Sequence, residues 1–229
     1  MESRVINLLK TLNIKHLNLA TYEQALTHPS FNGDVNSKHK DYEKLEFIGD
    51  AVLGYVVADL VYKNRPEMAE GDLTKLRSAL VSTKPLAAYA RTLKLDEYVR
   101  IGHSITPQQV KRSDKILENV FEALIGAIYL DIDLPTAYDF IKSLLLEDIL
   151  GFDAEKLTDY KSKLQEEIQT EHREAVTYIT VSMTGPAHDR TFKVQVQYNG
   201  IVLGSGVGKS KKKAEEMAAK DALSKRRVL

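Results

Sequence analysis

Residues 41–58, DYEKLEFIGDAVLGYVVA, decide how the first half of the chain folds. Their apolar residues would cover most of the circumference of a helix, and a helix that is apolar nearly all round is a buried one. Three acids interrupt this surface, at Glu43, Glu46 and Asp50. Their spacing of three and then four residues places them one above another on a single helical face.

Stacked acids on a buried helix need an explanation. A carboxylate in a partly buried setting costs several kcal/mol unless a cation compensates its charge. Mg²⁺ and Mn²⁺ are such cations, and they prefer oxygen ligands. A solvated acidic stripe would have the same spacing, so this helix alone leaves both interpretations open.

A second stretch favours the metal site. Residues 115–130, KILENVFEALIGAIYL, are also apolar nearly all round, with a polar island at Glu118, Asn119 and Glu122. Asn119 and Glu122 are three residues apart and share a face. Gly49 and Gly126 lie beside the two polar islands, and small residues let helices approach closely. Two apolar helices with facing acidic islands indicate a carboxylate metal site.

The rest of the first 150 residues is predicted to be helical. Apolar residues recur at helical spacing over Leu45–Tyr62, Leu73–Leu80 and Ile116–Leu130. Asn64-Arg65-Pro66 is expected to end one helix, and Pro135 is expected in the first turn of the last one. No alternating strand pattern is found in this part of the sequence.

The pattern changes near Gly151. A short turn-like stretch, Gly151–Lys156, predicts a linker. The elements predicted after it are a helix, three strands and a helix: Asp159–Gln169, Val176–Ser182, Thr191–Tyr198, Ile201–Val207 and Lys211–Arg226. Asn199-Gly200 predicts a tight hairpin, and Ser210 is expected to cap the last helix. The buried stripe of that helix is predicted to be Ala214, Met217, Ala218, Ala222 and Leu223.

Composition narrows the protein class. The chain has no cysteine, which excludes disulfides and cysteine zinc sites, and no apolar run long enough for a membrane span. A cytoplasmic protein without membrane contact is therefore expected. Residues 1–150 hold 18 Lys and Arg against 21 Asp and Glu, whereas residues 151–229 hold 14 against 11. The basic residues of the second part cluster at Lys209–Lys213 and at Lys225-Arg226-Arg227.

The helical part closely resembles the ribonuclease III family. The matching segments are His28-Pro29-Ser30, Glu43-Lys44-Leu45-Glu46-Phe47-Ile48-Gly49-Asp50, Glu70-Gly71-Asp72-Leu73 and Phe121-Glu122-Ala123-Leu124-Ile125-Gly126-Ala127. By this resemblance Asp50 and Glu122 are catalytic, and the metal ligands are Glu46, Asp50, Asn119 and Glu122. It also implies auxiliary acids at Glu43 and Glu70, and a homodimer interface at Phe47. His28 matches a position near the RNA-facing side, although a structural histidine at a helix end fits equally well.

One position departs from the family's pattern. The family usually has aspartate three residues before the second-helix glutamate, where this chain has Asn119. An amide oxygen can still bind Mg²⁺, but the site loses one negative charge. Glu118 lies about 100° round the helix from Asn119 and could supply the missing carboxylate.

Residues 159–223 resemble the double-stranded RNA-binding domain. The matching segments are Lys163-Leu164-Gln165-Glu166, Gly185-Pro186-Ala187-His188 and Gly208-Lys209-Ser210-Lys211-Lys212-Lys213-Ala214-Glu215. In that family the first helix and the first loop enter successive minor grooves, while lysines at the start of the last helix bind phosphates. The resemblance assigns minor-groove contacts to Ser162, Gln165, Glu166, Gln169 and His188. It assigns phosphate contacts to Lys209, Lys211 and Lys212.

The sequence thus predicts an all-α endonuclease domain over residues 1–150, a linker over 151–157, and an α-β-β-β-α RNA-binding domain over 158–229. The resemblance implies a homodimer that uses Mg²⁺, or Mn²⁺ in its place, to hydrolyse double-stranded RNA. Its products would carry 5′-phosphates, 3′-hydroxyls and two-nucleotide 3′ overhangs, and its substrates would be rRNA precursors and structured mRNAs. Asn119 leaves open an RNA-binding protein that cleaves weakly or not at all. A helical di-iron protein is disfavoured because no acid of the two islands has the required His three residues on.

Overall fold

The computed structural model describes residues 2–33, 40–153, 159–171, 175–186 and 189–226. The chain divides into two compact units, residues 1–154 and 155–229. The helices of the first unit are α1 Glu2–Thr11, α2 Leu19–Ala25, α3 Glu43–Asn64, α4 Glu70–Leu80, α5 Thr83–Thr92, α6 Pro107–Arg112, α7 Asp114–Asp131 and α8 Leu134–Leu150. Short 3₁₀ turns lie at Pro29–Gly33 and Leu95–Glu97. No helix within the described ranges has the length and apolar content that crossing a bilayer requires.

Helices α3 and α7 form the centre of the first unit. They approach so closely that a Cβ atom on Gly49 would overlap the carbonyl oxygen of Glu122, and one on Gly126 would overlap that of Leu45. The close approach predicted from these two glycines is therefore confirmed. Helix α7 is buried continuously from Val120 to Ile128, as its apolar sequence predicts.

The predicted helix ends agree with the structure. Helix α3 ends at Asn64, where the N–H of Arg65 still donates to the carbonyl of Val61. Pro135 lies in the first turn of α8, behind an Asp133 side chain that accepts from the N–H of Thr136 at 2.8 Å. The sequence did not separate α1, α2, α5 and α6 as individual helices, because they are short and bury few residues each.

The second unit has the predicted α-β-β-β-α order. Its elements are α9 Tyr160–Glu171, β1 Thr177–Thr184, β2 Thr191–Tyr198, β3 Ile201–Gly208 and α10 Lys211–Arg226. The strands form an antiparallel sheet in the order β1-β2-β3. Asn199 and Gly200 join β2 to β3 with φ of 47° and 76°, the left-handed pair that a tight hairpin requires.

Helices α9 and α10 cover one face of this sheet. Leu164 and Ile168 of α9 pack with Val194, Val196 and small residues of α10 in one buried cluster. Gly204 and Gly206 of β3 lie directly beneath α10, where a Cβ would collide with its backbone. The sheet and helix therefore pack at a distance that only glycine permits on β3.

Two predictions about burial were wrong. Met217 is 38% exposed, and Ala219 is buried in its place, because α10 approaches the glycines of β3 closely at Ala214, Ala218 and Ala222. Helix α3 is not buried all round. Phe47 and Tyr55 are exposed on a face that no other element of the described chain covers.

Candidate active site and RNA-binding surface

An acidic cavity of about 500 Å³ lies where α3 meets α7. Its lining residues are Glu43, Glu46, Phe47, Asp50, Val81, Lys115, Glu118 and Glu122. Helix α3 contributes Glu46 and Asp50, which are four residues apart and lie on one helical face. Helix α7 contributes Glu118 and Glu122, also four residues apart. The close crossing at Gly49 brings the two helical faces to the same cavity.

Glu122 is the most strongly perturbed acid of the cavity. It is only 6% exposed. Burial raises its pKa to about 8, and neighbouring carboxylates, Asp50 foremost, act in the same direction. Burial also raises the pKa of Glu46. In both cases burial is the largest cause, and the neighbouring carboxylates add to it.

Lys115 is the cation that the cavity contains. Its Nζ lies 3.0 Å from Oε2 of Glu118, and its charge opposes the upward pKa shifts of Glu46 and Glu122. The Lys115 side chain is 65% exposed, so solvent weakens this compensation. The sequence analysis did not single out Lys115, although its spacing of three residues before Glu118 indicated a helical ion pair.

The predicted Mg²⁺ fits this cavity in ligand type and in charge. Its carboxylates offer only oxygen ligands, and their charges lie close together with Lys115 as the one cation among the lining residues. Within the described residues, however, no three His, Cys, Asp or Glu side chains are arranged to hold a metal ion as they stand. Binding an ion would therefore require carboxylate side chains to rotate toward one another.

The second unit carries a cationic surface at the start of α10. Ser210 caps the helix, since its hydroxyl accepts from the N–H of Lys213 at 3.2 Å. Lys211 and Lys212 are exposed in the first turn, where free amides and the helix dipole also attract anions. Lys209 is exposed and pairs with Asp189 at 2.6 Å, a surface ion pair that phosphate can displace at little cost.

Comparison with known proteins finds a matching family for each of the two units. Residues 18–149 match the family model described as Ribonuclease-III-like, and residues 160–226 match the double-stranded RNA binding motif. The chain is 39% identical to Ribonuclease 3 of Lactococcus lactis over 200 residues, which is 87% of each chain. It is equally similar to Ribonuclease 3 of Streptococcus pneumoniae over 204 residues, 89% of this chain and 88% of that one.

The chain belongs to the ribonuclease III family, whose members are endoribonucleases specific for double-stranded RNA. Solved structures agree with this assignment. The nuclease domain of ribonuclease III from Campylobacter jejuni is 34% identical, with a TM-score of 0.57 over 63% of this chain and 97% of that one. Dicer from Pichia stipitis is 26% identical, with a TM-score of 0.50 over 91% of this chain and 94% of that one.

Not every residue that the ribonuclease III resemblance selects lies at the cavity. Asn119 is not part of its wall, and its side chain forms a hydrogen bond with the hydroxyl of Tyr42. Burial raises the pKa of Tyr42 to about 12, and the hydrogen bond from Asn119 opposes this. Glu70 begins α4, is exposed, and accepts from the Thr74 hydroxyl at 3.2 Å outside the cavity lining.

Two further residues have structural contacts. Nδ1 of His28 accepts from the N–H of Ser30 at 3.0 Å and lies edge-on to the Tyr42 ring, at the start of a 3₁₀ turn. Burial lowers the His28 pKa. Phe47, in contrast, lines the cavity mouth and is 79% exposed.

The α9 residues predicted to face RNA differ in their exposure and contacts. Glu166 and Gln169 are exposed, as a minor-groove contact requires. The hydroxyl of Ser162 donates to Asp159 at 2.8 Å, at the start of the helix. Gln165 is half-buried, and its Oε1 accepts from the N–H of Val176 at 3.2 Å, which ties α9 to the start of β1; its minor-groove contact stays a prediction. His188 lies outside the described residues.

Proposed function

We propose that this ribonuclease III family member is a Mg²⁺-dependent enzyme that hydrolyses the phosphodiester bonds of double-stranded RNA. The products would be 5′-phosphate and 3′-hydroxyl ends with two-nucleotide 3′ overhangs, and Mn²⁺ would substitute for Mg²⁺. The observation that carries this proposal is the buried Glu122 in one cavity with Glu46 and Asp50. Such crowding of carboxylates is stabilised by a divalent cation.

The residues of the cavity have separable roles in this proposal. Glu46, Asp50 and Glu122 would hold the ion, and Glu43 and Glu70 would act from the rim. When bound, Mg²⁺ supplies a Lewis acid for the phosphate oxygens and lowers the pKa of an attacking water. The exposed mouth at Phe47 and Glu43 leaves the cavity open to an RNA backbone. Lys209, Lys211 and Lys212 would anchor the same duplex by its phosphates, with Glu166, Gln169 and His188 in the minor grooves.

We further infer the domain limits, the substrates and the location. The nuclease domain would comprise residues 1–150 and the RNA-binding domain residues 158–229, with a linker over 151–157. The substrates would be rRNA precursors and structured mRNAs in the cytoplasm. These inferences rest on the family resemblance.

Cleavage is tested directly with long duplex RNA of random sequence. The full chain and Mg²⁺ should shorten the RNA to fragments whose 5′ ends can be labelled only after a phosphatase has removed the 5′-phosphate. EDTA should stop the reaction and leave binding intact.

A second candidate function is duplex binding without cleavage, which Asn119 favours by removing one charge from the expected ligand set. Retarded but uncut RNA in Mg²⁺ and in Mn²⁺ would support that candidate instead.

The exposed aromatic residues of α3 support a homodimer. Phe47, Tyr55 and Tyr62 are 79%, 58% and 73% exposed and follow one another at spacings of eight and seven residues on one face. A region involved in dimer formation is known for the related Campylobacter jejuni domain. Two sites related by a twofold axis could cut both strands of one duplex, which suits the proposed overhangs.

We expect Phe47→Asp to convert the dimer into a monomer. The charge would be buried against apolar groups of the partner, at a cost of several kcal/mol. Sedimentation equilibrium should then give about half the wild-type mass at the same concentration. Leu17→Asp is the matched control, since Leu17 is 82% exposed and lies outside α3. A dimer that persists in Phe47→Asp would contradict this interface.

We expect Lys211→Ala combined with Lys212→Ala to weaken duplex binding and its dependence on salt. Each phosphate contact releases about one counterion, so the slope of log affinity against log salt should fall by roughly 2. Electrophoretic mobility shifts at a series of KCl concentrations measure this slope. The control is Lys193→Ala with Lys225→Ala, which removes the same charge at exposed positions of β2 and the far end of α10. An unchanged slope in the first variant would remove these lysines from the interface.

A further inference from the structure

Glu118 has an unusual position for a charged residue. It is 8% exposed, and it lines the acidic cavity one helical turn before Glu122. Charged side chains are rarely buried to this extent unless they are paired or bind a cation. Burying Glu118 in the wall of a cavity with four other carboxylates is therefore unfavourable unless a cation compensates its charge.

The contacts of Glu118 fix its carboxylate in place. The Thr83 hydroxyl, at the first residue of α5, donates to its Oε1 at 3.2 Å. Its Oε2 has Lys115 at 3.0 Å and no well-aligned hydrogen-bond donor among the described residues. Oε1 is thus held by Thr83 of α5. Oε2 is buried, and its negative charge is compensated by Lys115, whose ammonium group is largely solvated. That arrangement leaves Oε2 able to bind a second cation.

Asn119 differs from Glu118 in where its side chain lies and in its charge. Its side chain lies against Tyr42 instead of the cavity, and its Oδ1 is buried without a hydrogen-bond partner among the described residues. Its amide is neutral, so it adds no charge to the site. The charge of Glu118, in contrast, reaches both Glu46 and Glu122, since it raises the pKa of each.

We propose that Glu118, and not Asn119, supplies the carboxylate of α7 that joins Glu46, Asp50 and Glu122 in binding a divalent cation. This inference rests on the proposed function, because it assumes that the cavity takes such a cation. In this chain α7 carries a carboxylate at position 118, one residue before the amide of Asn119, and Thr83 holds it in the cavity wall.

The test measures Mn²⁺ binding to the RNA-free chain. Binding is detected as a decrease in the electron paramagnetic resonance signal of free Mn²⁺. Glu118→Gln keeps the volume of the side chain and an oxygen for Thr83 but removes the charge. We expect its dissociation constant for Mn²⁺ to rise about tenfold or more, as for other losses of metal-site support. Asn119→Asp, alone or added to Glu118→Gln, should change binding by less than about threefold, because the side chain at position 119 lies against Tyr42 and outside the cavity lining.

Controls separate this inference from the proposed function. Glu147→Gln removes one charge at an exposed position of α8 and should leave Mn²⁺ binding unchanged. Circular dichroism of each variant verifies that the helices are intact. If Glu122→Gln loses Mn²⁺ binding while folded Glu118→Gln binds as the wild type does, the role of Glu118 is refuted and the site stands. If neither variant changes binding, the cavity is not the cation site and the proposed function fails with it.

Discussion

Glu122→Gln is expected to lower Mg²⁺-dependent cleavage of duplex RNA by about 100-fold or more, because a Lewis-acid metal contributes several kcal/mol to such reactions. Glutamine keeps the size of the side chain and removes the charge that faces Glu46 and Asp50. Single-turnover cleavage of end-labelled duplex RNA, with enzyme in excess, measures the effect without the contribution of product release. Cleavage at the wild-type rate would show that Glu122 is not part of the catalytic site.

The same variant should fold at least as well as the wild type, which separates lost chemistry from lost structure. In the unfolded chain Glu122 ionises near its ordinary pKa of 4.5, whereas in the folded chain it keeps its proton to about pH 8. Folding therefore takes up a proton between these values, and the free energy of unfolding falls as the pH rises through this range. Without divalent ions, Glu122→Gln lacks that fall and should be more stable near pH 7 by about 3 kcal/mol.

Urea unfolding of both proteins at a low and a neutral pH measures this difference. The two should be similar near pH 4.5 and diverge toward pH 8. Glu147→Gln is the control for both readouts, because its carboxylate is exposed on α8 and should affect neither cleavage nor stability by much. A variant that is both inactive and less stable would point to misfolding as the cause of the lost activity.

The backbone arrangement of the site could be predicted from the sequence. Gly49 and Gly126 indicated a close crossing, and the spacing of Glu46, Asp50 and Glu122 indicated which helical faces meet there. In the second unit, Asn199-Gly200 and the Ser210 cap defined the hairpin and the start of α10 by local chemistry alone. These features depend on residues that are near one another in the chain or on a regular helical period.

Side-chain direction could not be predicted in the same way. Asn119 and Glu118 are neighbours on α7, and which of them reaches the cavity depends on Tyr42 and Thr83, both distant in sequence. Gln165 belongs to the face expected to contact RNA, yet a single hydrogen bond to Val176 holds it against the sheet. The helical period gives the direction of a side chain within tens of degrees. The group that this side chain contacts depends on the partner that tertiary packing supplies.

The tightness of the crossing itself gives the second large prediction. Gly49→Ala is expected to destabilise the nuclease unit by about 3 kcal/mol or more, because the new methyl group would overlap the carbonyl oxygen of Glu122, which is backbone and cannot rotate away. To relieve the overlap, α3 and α7 must move apart, and this separates Glu46 and Asp50 from Glu122. The variant should therefore lose cleavage together with stability.

Hydrogen exchange of the α3 and α7 amides in the full chain measures the stability of this unit without interference from the RNA-binding domain. Gly71→Ala is the matched control, since a Cβ there meets nothing within 4 Å and the residue also lies in a helix. It should change protection by less than about 1 kcal/mol, the scale of intrinsic helix preference. Equal protection in Gly49→Ala and Gly71→Ala would mean that the two helices can separate without cost, and the cavity geometry would then not depend on their close contact.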